Sequence, residues 1–225
     1  MKYVSALVTA ASGKIRGMVA SHNRGGTYLK GKTIPVNPSS VLQGIVRGAL
    51  RTAINAWTTV LTSAQRAAWL TYAQNTPFTD TLGNTIQLTG QNAYLRQAVV
   101  RTQASLAPIS PGPTVFDLGT FTPPTLTLTA GAGTATLAFS TADAWVGDGT
   151  LTAMMVWTSN PQNGSVNFFK GPFRFAGKIL GGATSPATLT LPGSAPATGN
   201  KVFFQVRVSR SDGRLSDTFL GSGTA

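Results

Sequence analysis

Apolar residues in the first half of the chain recur at spacings of three and four. From Ser40 to Leu61 they fall at Leu42, Ile45, Val46, Ala49, Leu50, Ala53, Ile54, Trp57, Val60 and Leu61, with Gln43, Arg47, Arg51 and Asn55 on the other face. That period predicts an amphipathic helix with one apolar stripe. The lead-in Asn37-Pro38-Ser39-Ser40 supplies capping side chains and a proline suited to a first turn. A second helix is expected from Thr62-Ser63-Ala64-Gln65, where a threonine cap followed three residues on by glutamine fits a capping box. It carries Ala68, Trp69 and Tyr72 and stops near Asn75-Thr76-Pro77. A third follows Thr89-Gly90 and runs through Tyr94, Leu95, Ala98, Val99 and Thr102 to Leu106. Between them Asp80 to Leu88 reads as a small hairpin turning at Leu82-Gly83-Asn84. Helices of this length need tertiary packing, for which Trp57, Trp69 and Tyr72 are the expected anchors.

The pattern changes on either side of this helical stretch. Tyr3 to Val8 is strand-like, and the apolar run Val4–Ala11 is too short and wrongly flanked for a signal peptide. Residues 14–32 alternate bases, glycines and β-formers, a composition that cannot build a core alone and predicts an edge ribbon or an extended arm lying on a partner. At the other end, Ala107-Pro108-Ile109-Ser110-Pro111-Gly112-Pro113 and Pro123-Pro124 forbid helix and predict a stiff linker. Seven strands are then expected: 126–129, 135–139, 151–158, 166–169, 173–179, 187–191 and 202–208, separated by turns such as Asp148-Gly149 and Ser211-Asp212-Gly213. Short strands at that spacing describe a β-sandwich of immunoglobulin or fibronectin III style. The fold class is therefore α+β: an extended basic arm or ribbon (1–36), a three-helix unit with a small hairpin (37–107), a Pro-rich linker (108–125) and an all-β sandwich (126–225).

Composition narrows the chemistry. The 225 residues include no cysteine, no glutamate and a single histidine, His22. Disulfides, thiolate metal sites and cysteine nucleophiles are excluded. No apolar run reaches the roughly 18 residues of a membrane span, so no membrane partner is expected. Asp143 and Asp148, five apart, offer too few oxygens for calcium and read as turn formers. Neither a phosphate-binding glycine loop nor a nucleophile elbow occurs. The expectation is no catalytic residue, no cofactor and no metal. Glycan binding through Trp145, Trp157 and Phe173 remains a minor alternative.

Charge is distributed unevenly. Residues 1–110 hold eleven bases against Asp80 alone, whereas residues 111–225 hold seven bases and five acids. A field of that sign favours an anionic partner, nucleic acid or an acidic protein surface. The candidate partner-binding residues are Lys14, Arg16, Arg24, Tyr28, Lys30 and Lys32 in the arm, with Arg47 and Arg51 as a second basic patch one turn apart. Because Ile15, Met18, Val19, Leu29 and Ile34 are interspersed, a protein partner is favoured over nucleic acid.

The run Gly25-Gly26-Thr27-Tyr28-Leu29-Lys30-Gly31-Lys32-Thr33-Ile34-Pro35-Val36-Asn37-Pro38, followed by Arg47, Trp57 and 61–69 (Leu-Thr-Ser-Ala-Gln-Arg-Ala-Ala-Trp), resembles a widespread family of bacteriophage and prophage proteins. So do 88–94 (Leu-Thr-Gly-Gln-Asn-Ala-Tyr), 161–163, 167–174 and 209–216. The resemblance implies a gene among virion structural genes and brings no activity or catalytic residue with it. The expectation is a structural protein of the virion, assembled in the host cytoplasm. The favoured form is a capsid-associated cement or decoration protein that contacts the major capsid protein and its own copies as a homo-oligomer. A tail, neck or connector protein and a basic nucleic-acid-binding phage protein are the alternatives.

Overall fold

The computed structural model describes residues 13–23, 26–79 and 84–225. The fold is mixed α+β and mostly β, and the chain divides into two compact units, 1–40 and 41–225. The strand expected at Tyr3–Val8, Arg24 and the tip of the hairpin at Leu82-Gly83 lie outside the described residues.

The first unit contains a three-stranded antiparallel sheet in the order β1 (Gly13–Ile15), β2 (Met18–Asn23), β3 (Gly26–Gly31). Ile15 pairs with Met18, so Arg16-Gly17 is a two-residue turn. Arg16 has φ 48°, the left-handed conformation such turns demand.

The second unit opens with α1 (Val41–Asn55), which widens into a π-helical turn over Ala56–Val60. There the hydroxyls of Thr58 and Thr59 donate to the carbonyls of Ile54 and Asn55. The capping box at the start of α2 (Ser63–Asn75) is present in both directions. Gln65 N donates to Thr62 Oγ1 at 3.2 Å, and Thr62 N to Gln65 Oε1 at 2.9 Å. The short pair β4 (Phe78–Thr79) and β5 (Thr85–Ile86) precedes α3 (Gly90–Gln103), capped by Thr89. Trp69 packs edge-on against Tyr72 and Tyr94, and these rings close a core with Ala53, Ala73, Ala93 and Ala98.

Two antiparallel sheets follow. One has the order β10 (Ala187–Thr190), β7 (Thr134–Ala138), β6 (Thr125–Leu128); the other β12 (Phe219–Thr224), β11 (Lys201–Ser209), β8 (Ala153–Thr158), β9 (Arg174–Leu180). A four-residue helix, α4 (Ala144–Gly147), lies between β7 and β8. Both sheets contribute to one core: Leu126, Leu137 and Leu189 from the first, Met154, Val156, Val202, Phe204 and Val206 from the second. β8 is buried on both faces, which is why Ala-Met-Met-Val reads as a run rather than an alternation. Met154 and Val156 face the other sheet, while Met155 packs with Val100 of α3, Ala104 at its C-terminal cap and Leu215.

Three expectations need correction. Residues 166–169 are not a strand. Asn163 turns the chain by accepting from Ser165 N and Oγ, and Phe169 then stacks on Phe203. β12 was not expected at all. Its Gly221 and Gly223 weaken the sequence signal, yet a Cβ there would come within 2.5 Å of the Phe204 ring and 2.4 Å of the Leu126 carbonyl oxygen, so these positions require glycine. The apolar stripe of α1 is buried only in part. Ala49, Ala53 and Leu61 are in the core, whereas Val41, Leu42, Ile45, Val46, Leu50, Ile54 and Val60 are exposed, from 38% at Ile54 to 81% at Val41.

The Pro-rich segment expected as a linker is fastened along its length. Arg101 Nε donates to Ala107 O (2.7 Å), Gln97 Nε2 to Ile109 O (3.0 Å) and Trp69 Nε1 to Ser110 O (2.9 Å). Farther on, Arg210 Nη1 donates to Leu118 O, and Thr122 gives both its N–H and its hydroxyl to Asp143. Helices and sheets consequently share one unit.

Candidate functional site

Strand register sorts the side chains of the first unit. Lys14 lies opposite Val19 and Val19 opposite Lys30, so the three share a face, because paired residues point the same way. Ser21 and Tyr28, paired with each other two residues along, join that face, and Lys32 continues it beyond Lys30. Ala20 and Leu29 are paired on the opposite face, with Met18 two residues away. Each face mixes exposed and covered residues, Met18 and His22 being exposed on the Ala20 side. Lys14, Lys30 and Lys32 are exposed, Val19 and Tyr28 half-buried, while on the far side Ala20 is buried and Leu29 half-buried. Lys32 N donates to Gly17 O at 2.7 Å, fixing the start of the segment that follows the sheet. The result is a concavity of about 500 Å³ lined by Lys14, Val19, Lys30, Lys32, Thr33, Ile34 and Pro35.

Of the expected partner-binding residues, the structure therefore unites Lys14, Tyr28, Lys30 and Lys32. Arg16 sits in the turn beside Gly17, and Arg24 lies outside the described residues. Arg47 and Arg51 belong to the second unit, exposed and one turn apart on α1.

A further surface was not expected from the sequence. Within α1 only the small residues Ala49 and Ala53 are buried, and its large aliphatic side chains are left exposed. Leu42, Ile45 and Val46 there face Gln103, Trp157, Phe173 and Phe175 across a groove of about 450 Å³. Trp157 and Phe175 meet edge to face, with centroids 5.6 Å apart. The three aromatic residues come from β8, β9 and the loop before β9, an adjacency that periodicity within any one segment does not reveal.

Other candidate residues serve the fold. Trp145 is 1% exposed within the core and has no ring face to offer a sugar. Asp143 accepts from Thr122, and Asp148 pairs with Arg210, so both carboxylates have protein partners. Arg207 is half-buried, and desolvation with the nearby Arg96 charge lowers its pKa to about 10 against a partial opposing effect of Asp217. Among the described residues no group of three histidine, cysteine or acidic side chains is placed to hold a metal ion, and no helix is long and apolar enough to cross a membrane.

Compared with known proteins, the chain matches no family model, no curated protein and no solved structure.

Proposed function

We propose that this chain is a non-enzymatic structural component of a bacteriophage particle, a cement or decoration protein that works by docking on other virion proteins and on copies of itself. One observation carries the reading. Seven large aliphatic side chains of α1 and its π-helical turn, Val41, Leu42, Ile45, Val46, Leu50, Ile54 and Val60, stand exposed, and Leu42, Ile45 and Val46 among them line an aromatic groove. Contiguous apolar surface of that kind is costly in water and marks a face meant to be covered. The phage-family resemblance of the sequence supports the same reading.

The two-sheet body is read as a fibronectin III-like sandwich. In the immunoglobulin constant arrangement the fourth strand joins the sheet holding the first, second and fifth. Here the fourth, β9, pairs instead with the third, β8. Such a body suits a rigid projecting module, with residues 1–36 acting as an arm toward a neighbouring subunit.

Mass spectrometry of purified particles tests the proposal. The chain should be present in a fixed ratio to the shell protein, and near-equal copies identify decoration. A single ring's worth would move it to the neck or tail, and absence from the particle would end the virion reading. In the same particles, Ile45→Glu with Leu50→Glu should abolish incorporation while leaving the soluble protein folded, since both side chains are solvent-exposed in the chain.

A further inference from the structure

The geometry points to a nucleic-acid backbone site on the lysine-bearing face of the β1–β3 sheet. This goes beyond the docking role proposed above and rests on the first unit alone. Lysines scattered among apolar residues in sequence are compatible with a protein interface. The register separates the two kinds, placing Ala20, Leu29 and Met18 on one side and Lys14, Lys30 and Lys32 on the other. The three lysines are all exposed. Their apolar neighbours are the half-buried Val19 and, along the edge of the concavity, Ile34 and Pro35, whereas lysine, the dominant residue of this face, is depleted from the centres of protein interfaces.

What remains suits a run of phosphates. Residues 1–40 contain no aspartate or glutamate, so no carboxylate of the unit neutralises the lysines. Lys14 and Lys30 stand two strand spacings apart, about 9.6 Å, and Lys30 and Lys32 two residues apart, about 6.8 Å. Flexible lysine side chains over such distances act as point charges for successive phosphodiesters. Tyr28 on the same face, half-buried and two residues from Lys30, adds the aromatic surface that backbone-tracking sites combine with charge. Nothing in the arrangement reads base edges, so binding is independent of sequence.

The test is fluorescence anisotropy of a labelled random-sequence DNA duplex titrated with the full chain at several salt concentrations. Log affinity should fall linearly with log salt. The triple variant Lys14→Ala, Lys30→Ala, Lys32→Ala should flatten that slope by about 2.7, at about 0.9 for each phosphate that a lysine no longer neutralises. Lys14→Arg, Lys30→Arg, Lys32→Arg keeps the charge and should keep the slope, as should Lys170→Ala at an exposed lysine of the other unit. Three results would overturn the assignment: no binding to the duplex at low salt, an unchanged slope in the alanine variant, or loss of binding in the arginine variant. Tight salt-resistant binding of polyglutamate through these lysines, with none of DNA, would reassign the face to an acidic protein and equally overturn it.

Discussion

At the scale of single residues, Arg101 decides how the helices meet the sheets. Its side chain is 1% exposed, and its guanidinium reaches three acceptors: Ala107 O, Leu151 O at 2.9 Å and Ser209 Oγ at 2.9 Å. Burial lowers its pKa, so the charge is held by hydrogen bonds rather than by an acid. Arg101→Met would keep the volume but strand those acceptors, at a cost of about 3 kcal/mol. Arg101→Lys should recover little, because one ammonium cannot reproduce a planar fork. Urea midpoints at constant slope measure both, and a methionine variant as stable as the parent would refute the role. Sequence reading did not find this residue, since nothing distinguishes a buried arginine on a helix from a solvated one until its partners, 50 and 108 positions away, are placed.

Two buried tyrosines set the alkaline behaviour. Burial raises Tyr72 and Tyr94 above the usual 10.0. The unfolded chain then loses these protons first, so their contribution is complete below pH 10 and is lost as pH rises through the folded values. Arg207 acts in the opposite sense. With its pKa lowered to about 10, well below the ordinary arginine value, the folded chain releases its proton first, and its contribution grows as pH rises from about 10 toward that ordinary value. Replacing both tyrosines by phenylalanine should leave Arg207's effect uncovered. The stability of the double variant relative to the parent should climb as pH is raised above about 10. Parallel unfolding curves across that range would contradict the assignment.

At the scale of elements, what was legible had a local cause. Thr62 and Gln65 announce α2 because both halves of the capping box lie within four residues, and Thr62→Ala should cost about 1 kcal/mol in thermal or urea unfolding. An unchanged midpoint would mean the helix start is held from elsewhere. Thr89 marks α3 by the same logic. The strands whose residues alternate, β6 and β7, were equally readable. β12 was not, because its glycines answer to Phe204 and Leu126, residues of other strands. Nor was the fate of α1. Its period correctly gives a helix with one apolar side, but how far that side is covered is decided by elements far away in sequence, and only Ala49 and Ala53 of α1 are buried. The basic residues were visible as a composition, whereas their division from Met18, Ala20 and Leu29 became visible only with the register.

At the scale of the whole molecule, the Pro-rich segment turns two expected domains into one. Proline removes amide donors and stiffens the chain, which suggested a spacer. The same stiffness suits a strap whose carbonyls meet Arg101, Gln97 and Trp69 in fixed positions. The strap also lies close: a Cβ on Gly112 would stand 2.6 Å from the Ala68 carbonyl carbon and 2.7 Å from Trp69 N, both backbone atoms that cannot step aside. Residues 41–225 should therefore unfold in one transition, with helical circular dichroism and the fluorescence of buried tryptophans changing together. Gly112→Ala should lift the strap and weaken the bonds from Trp69 and Gln97. The loss should be about 2 kcal/mol or more, with the helical signal departing before that of the Trp145 core. If the parent already unfolds in two steps, the helices and the sheets are independent and the strap is only a spacer. If Gly112→Ala leaves a single transition in place, the coupling runs through Arg101 and the packing of Met155 against Val100 and Ala104 instead.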